Sequence, residues 1–418
     1  MDFLGAILIL SSLITSSWLI LQALYSPHDE RVERCEDKKI TYSIIIAVKD
    51  EDPEVIGSLV ENLKGLEYPE FEVIIVSDDS PERFREIEKL EVPKNFRIVR
   101  REAPTGRKAG ALNYGVSLAK GEVLVFLDSE ARVERDFLKI LSRTPWEDAV
   151  ALRLKVRESK GRLQRLYSQM TDYSMEHLFL GRAVRGFPIF PNGSAFAIRR
   201  EVLASLGGWN EGKVAEDLDM GIRLFLHGYQ VRYIHDIVVE TLAPFTWRDL
   251  FQQIRRWAYG SGELLGSSLK MLTKGGRGLE GFVYANQWGI YPLFLLTALV
   301  VGALDIWFRP SLLAVATSFG IYAISALIFS LSSRTVESDL RLPVMILAAS
   351  LIGYLSGLLR INFKWSVTPK RPKGNEETPL ILKVISWTYY IIGIFSIRDD
   401  VIMGLVLVVV SLLMLSIP

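Results

Sequence analysis

Several groups of residues have the types and spacing to act on a charged substrate. Asp78-Asp79 and Asp128-Ser-Glu130 each follow an apolar run, Phe71–Val76 and Glu122–Leu127, that reads as a buried strand. Ligands of open α/β sheets bind beyond the carboxyl ends of the strands, so two acidic clusters at equivalent ends share one rim. Singly, such a residue reads equally well as a turn former or a helix cap. Together they offer the oxygens that a hard divalent cation takes, and that cation neutralises a diphosphate. Glu216-Asp217 opens a stretch with helical spacing, 217–226, where a carboxylate also complements the helix dipole. Gln253, Arg256 and Trp257 fall at i, i+3 and i+4 and so occupy one helix face. There the guanidinium can pair with phosphate and the indole can stack under a sugar. With Trp247, Phe251 and Ile254 the same helix also reads as an interfacial anchor. The two readings are compatible.

Other chemistries find no support. The 49 basic and 48 acidic residues leave a net charge of +1, without the basic surplus of a nucleic-acid binder. A single cysteine, Cys35, excludes an internal disulfide, and no CxxC or HExxH pair suggests zinc. No GxxxxGK[ST] loop occurs, and Gly260, Gly262 and Gly266 miss the GxGxxG spacing. The stripe Leu163, Leu166, Tyr167, Met170, Tyr173 and His177 reads as a core or membrane-surface helix.

Residues 42–127 alternate apolar runs with amphipathic segments, the pattern of βαβ units around a parallel sheet. Strands are expected at Tyr42–Val48, 71–76, 96–99, 122–127 and 195–198, and helices at 55–66 and 108–118. Charge concentrates in residues 28–280, whereas 3–25 and the stretch after 281 are mostly apolar. A membrane helix needs about 20 apolar residues. Candidates are 3–25, 281–307, 312–331, 342–359, 380–397 and 401–417. Arg31, Arg34, Lys38 and Lys39 follow the first segment, which by the positive-inside rule puts the N-terminus outside and the large domain in the cytoplasm. Loop 360–378 is also basic, which returns it to the inside if 342–359, with Pro343, Gly353 and Gly357, is interfacial or re-entrant. The expected layout is therefore a membrane helix at 1–27, a catalytic domain at 28–243, interfacial helices at 244–280 and five crossings in all, four of them within 281–418.

The order Asp78-Asp79, Arg107-Lys108-Ala-Gly-Ala-Leu-Asn113, Asp128-Ser-Glu130, Ala215-Glu216-Asp217 and Gln253-x-x-Arg256-Trp257 resembles family 2 glycosyltransferases. It looks most like the membrane synthases of cellulose, hyaluronan and related polysaccharides. The resemblance spans residues 42–257. It implies an α/β, Rossmann-like GT-A domain on the cytosolic side, inserted in an α-helical transmembrane bundle, and a UDP- or GDP-sugar donor. On that basis Asp78 and Asp79 contact base and ribose, and Lys108 and Asn113 lie near the diphosphate. Asp128 and Glu130 stand at the DxD positions that hold Mg²⁺ or Mn²⁺, although the family usually has Asp where Glu130 stands. Asp217, beside Glu216, would be the base that deprotonates the acceptor. Gln253, Arg256 and Trp257 complete the donor site. The acceptor sugar would lie near Gly193, Ser194, Trp209 and Trp257. Trp365-Ser-Val367-Thr368-Pro-Lys370 resembles the FxVTxK gating loop of cellulose-synthase-type enzymes, with Trp for Phe, and implies donor contacts from Val367, Thr368 and Lys370. The implied activity is processive, inverting synthesis of a β-linked polysaccharide passed through the enzyme's own helices. Transfer of one sugar to a lipid acceptor is the alternative, and a non-catalytic transporter or receptor is disfavoured by the intact Asp128, Asp217 and Gln253-Arg256-Trp257.

Overall fold

Runs of Ile and Val pair as the centre of one sheet. In the computed structural model, which describes residues 2–26, 35–36, 39–305, 307–333, 337–361, 369–370 and 379–418, the strands are β1 (Tyr42–Val48), β2 (Phe71–Ser77), β3 (Phe96–Arg100), β4 (Val123–Leu127), β5 (Arg132–Val133), β6 (Ala149–Val156), β7 (Ala195–Arg199) and β8 (Val231–Thr241). Their order is β3-β2-β1-β4-β7-β6-β8-β5. Successive side chains of a strand point to opposite faces. Ile44, Ile46 and Val48 accordingly enter a layer with Ile56, Leu59, Leu138 and Leu141. Ile45, Ile74, Leu124 and Phe126 face the other way, onto Ala109 and Leu112 of the Arg107–Leu118 helix. Burial on both faces is why these strands read as unbroken apolar runs.

The expected parallel order holds for β1 to β4. Beyond that stretch, β7 runs antiparallel to both β4 and β6. A short apolar run carries no signal of strand direction. The reversal has a consequence for the site. The carboxyl ends of β1 to β4, β6 and β8 and the amino end of β7 all lie on one edge.

Four described helices, Phe3–Leu24, Gln287–Leu304, Leu312–Ser332 and Arg341–Leu358, are long and apolar enough to cross a membrane, and Leu380–Ser396 and Val401–Leu415 are shorter apolar helices. The span expected from 281 begins instead at Gln287, because Gly275–Ala285 forms a separate helix. Small residues close the seams, as is usual where helices meet in lipid. Ser12 Oγ donates to Ser318 O at 2.7 Å and Ser411 Oγ to Ser386 O at 2.8 Å, while a Cβ on Gly5 would lie 2.7 Å from that of Ala314. Arg341–Leu358 lies along the amphipathic Trp247–Glu263 helix, with Gly353 and Gly357 seated on the Arg255 and Tyr259 carbonyls.

The domain is tied to the first helix by a buried ion pair. Arg182, 1% exposed, donates to both Glu280 oxygens at 2.6 and 2.9 Å, Tyr25 Oη donates to Glu280 at 3.2 Å, and Tyr284 lies 3.7 Å beneath the guanidinium. Glu280→Leu strands that buried cation and should cost about 3–5 kcal/mol. Thermal unfolding in detergent should show the loss, and Arg182→Met added to Glu280→Leu should recover most of it.

Candidate active site

The shared sheet edge borders a cavity of about 260 Å³ between the sheet, the start of the Glu216–Leu226 helix and the Trp247–Glu263 helix. Of the residues singled out by sequence, Asp78, Lys108, Asp128, Glu130, Gly193, Ser194, Glu216, Asp217, Gln253, Arg256, Trp257 and Lys370 line it. Strand ends contribute Asp78, Asp128 and Glu130. The turn before β7 contributes Gly193 and Ser194, because Ala195 pairs with Leu127.

Lys108 joins segments far apart in sequence. Its Nζ lies 2.8 Å from Asp128 Oδ1, 3.3 Å from Glu216 Oε1 and 3.4 Å from the Gly193 carbonyl. Burial opposes both charges of the Lys108–Asp128 pair. The opposite charges prevail: Asp128 and Glu216 raise the lysine, and Lys108, Lys370 and Arg256 hold Asp128 below the usual carboxylate range. Asp217 behaves oppositely. Burial and the neighbouring Glu216 push it up to about 6, although its Oδ1 accepts the Leu218 amide at 2.7 Å. Gly193, at φ +71°, makes room for it, since a Cβ there would stand 2.8 Å from Asp217 Oδ2. The Trp247–Glu263 helix holds the preceding loop. Glu263 Oε2 accepts the Val214 amide at 3.1 Å, and Gly260 abuts Ala215.

Three residues expected at the site are placed away from the cavity. Asp79 accepts hydrogen bonds from Ser77 and the Asp50 amide and lies beside Arg83, which makes it a brace beneath the rim. Asn113 exchanges hydrogen bonds with both backbone groups of Trp209, at 2.8 and 2.9 Å, and so faces away from the cavity. Trp209 is 3% exposed, edge-on to Phe126, and belongs to the core. Asp78 lines the cavity, but its carboxylate is held by the Arg101 guanidinium at 2.6 and 2.5 Å. Val367 and Thr368 lie outside the described residues. Lys370 is described, 2.5 Å from Glu130 Oε1.

Arg101 and Glu51 were missed. Arg101 also bonds the Thr105 and Arg107 carbonyls and so steadies a turn in which Gly106 and Arg107 both have positive φ, immediately before Lys108. Glu51 is pushed up to about 7, by burial and then by Glu130 and Asp128, against the pull of Lys370. Both residues follow strands, β3 and β1. The rule that singled out Asp78 and Asp128, a carboxylate past a strand end, reaches Glu51 but not the basic Arg101.

Asp128 and Glu130 fit a divalent cation as a pair. Both carboxylates face the cavity, each already on an ammonium group. Two carboxylates are the usual protein share where phosphate and water supply the remaining ligands. Among the described residues no set of three ligating side chains forms an all-protein cage.

With this geometry in view, the family model for glycosyl transferase family group 2 matches residues 123–358, more than half of the 418. The chain belongs to that family and is a glycosyltransferase. A Sulfolobus acidocaldarius protein named "probable glycosyltransferase" is 29% identical over 85% of this chain and 81% of its own. A beta-monoglucosyldiacylglycerol synthase of Nostoc sp. is 33% identical over 52% of this chain and 48% of its own, so the match spans about half of that enzyme. The structure of a mannosyltransferase from Pyrobaculum calidifontis in complex with GDP-Man and Mn²⁺ superposes with a TM-score of 0.61 at 19% identity. That match covers 86% of this chain and 100% of the other, and at this identity it shows the shared fold.

Gly193→Ala should force an L-residue into a left-handed conformation, at about 1–2 kcal/mol, and displace Asp217. Displacements of about 1 Å lower rates about 100-fold. Steady-state sugar transfer should fall to that extent while the thermal midpoint moves by only a few degrees.

Proposed function

We propose that the chain transfers a single sugar, with inversion, from a nucleoside diphosphate sugar to the hydroxyl of a membrane-embedded lipid or glycolipid. The observation that carries this reading is the double role of the Trp247–Glu263 helix. One face presents Gln253, Arg256 and Trp257 to the cavity, and the other is sealed onto the apolar Arg341–Leu358 helix. An acceptor reaching Asp217 therefore arrives at the level of the apolar helices. The Ser and Gly seams between those helices favour a closed bundle over a polymer conduit. The Nostoc relative is a lipid glucosyltransferase by name. A processive synthase of the cellulose and hyaluronan type is the second reading, favoured by Trp257 and Trp288, whose rings lie 5.7 Å apart and extend an aromatic surface from the cavity toward the Gln287–Leu304 span.

In this scheme Asp217 takes the proton of the acceptor hydroxyl as its oxygen attacks the anomeric carbon, and the bond to the nucleoside diphosphate breaks on the opposite face. Arg256 and Lys370 face the departing phosphates, and Trp257 supports the sugar. Gly193 and Ser194 border the acceptor side. Asp78 acts through Arg101 on the turn that carries Lys108. Asp128 and Glu130 would hold Mg²⁺ or Mn²⁺, which when bound neutralises the leaving diphosphate. The catalytic domain would be 28–243, on the cytoplasmic side with the basic loop 360–378 beside it, between membrane segments 1–27 and 281–418 and next to interfacial segment 244–280.

Asp217→Asn should lower transfer about 10²- to 10⁴-fold, the usual range for a general base, with binding of the intact donor retained. Retained transfer would remove Asp217 from the chemistry. Mass spectrometry of the product on extracted lipid decides the acceptor: one added hexose supports this reading, and a ladder supports the second. Asp217 with a pKa raised to about 6 is active only when ionised. Activity should therefore be full above pH 7 and fall through a midpoint near 6 on acidification, and a wild-type rate flat from pH 5 to 7 would contradict the assignment.

A further inference from the structure

A second membrane-facing surface lies outside the catalytic cavity. Between Glu263 and Glu280 the chain has no acidic residue and carries Lys270, Lys274 and Arg277, all exposed. The two flanking carboxylates are engaged elsewhere. Glu263 holds the Val214 amide and lies near Lys213, and Glu280 is buried against Arg182. Interleaved with the cations are Leu269, Leu272 and Leu279, which are 47%, 41% and 54% exposed. The opposite side of the segment is closed, with Met271 fully buried beside Phe190, Ile222 and Leu264.

The level of this surface is set by contacts on its buried side. Tyr25, just past the end of the Phe3–Leu24 helix, hydrogen-bonds Glu280 at 3.2 Å, and the Gln287–Leu304 span begins two residues after Ala285. Two apolar helices thus meet the domain at the height of Glu280. Single leucines separated by cations and glycines do not form the contiguous apolar patch that a protein partner requires. They suit a bilayer surface, where leucines reach the acyl boundary and cations meet phosphates.

We propose that the outer face of residues 269–279 is a docking surface for the anionic headgroups of the bilayer, with Lys270, Lys274 and Arg277 on the phosphates and Leu269, Leu272 and Leu279 seated between the lipids. Its buried side touches the catalytic segment, because Leu264 and Met271 pack with Ala215 and Leu218 around Asp217. Bound lipid therefore steadies the loop that presents Asp217.

The test uses the full chain in a mild detergent, with native mass spectrometry of phosphatidylglycerol and phosphatidylcholine bearing the same acyl chains. One cation near an anionic surface contributes about fivefold, so three predict a preference for phosphatidylglycerol on the order of 100-fold. Lys270→Gln/Lys274→Gln/Arg277→Gln should bring the ratio close to one, and Lys270→Arg/Lys274→Arg/Arg277→Lys should keep it. Inorganic phosphate at millimolar concentration should not displace the lipid. Equal retention of the two lipids by the wild type, a preference that survives the triple Gln substitution, or displacement by phosphate alone would each overturn the proposal.

Discussion

The ammonium group of Lys108 is the interaction on which the rest of the site depends. It brings together Asp128 from the end of β4, Gly193 from the turn before β7 and Glu216 from a helix start. A lone lysine in such a wall would lose its charge to desolvation. Here the carboxylates keep it charged, and Lys108, Lys370 and Arg256 keep Asp128 charged in turn. Removing one member leaves the others as uncompensated charges, so the cluster is held as a set. That set exists only because β7 runs against its neighbours and delivers its amino end to the edge where the other strands finish.

The Trp247–Glu263 helix couples this cluster to the membrane region. Three of its faces are committed. Gln253, Arg256 and Trp257 meet the cavity, Gly260 and Glu263 clamp the loop before Glu216, and Gly262 with the Arg255 and Tyr259 carbonyls receives Arg341–Leu358. Glycine serves at these crossings because a Cβ would lie within about 2.3 Å of backbone or side-chain atoms of the partner.

Much of this was legible in the sequence, and the misses have physical reasons. Unbroken Ile and Val runs announced the buried strands β1, β2 and β4, and strand-end carboxylates announced the rim. Strand direction was not legible, since an apolar pentapeptide reads alike in either sense. Asn113 lies five residues after Lys108 on one helix, about 140° around the axis at 3.6 residues per turn, and its amide turns to the Trp209 backbone instead of the cavity. Trp209 illustrates the opposite difficulty. An indole beside glycines suits sugar stacking and core packing equally well, and only the edge-on contact with Phe126 assigns it to the core. Asp78 and Asp79 are adjacent and point differently, one to Arg101, 23 residues on, and the other to Ser77 and to the Asp50 amide, 29 residues back.

Adjacent carboxylates pose a problem that the geometry resolves. Glu216 and Asp217 repel one another, and two such groups share a site most readily when their proton affinities diverge. Lys108 sits 3.3 Å from Glu216 and 2.8 Å from Asp128. Asp217 is pushed up to about 6, first by burial and then by Glu216 beside it. A carboxylate of ordinary acidity is a weak proton acceptor, whereas one at about 6 is still ionised at neutral pH and binds a proton about a hundredfold more tightly. Lys108 thus pairs with Glu216, while the adjacent Asp217 is the carboxylate with the raised proton affinity that the proposed role as base requires.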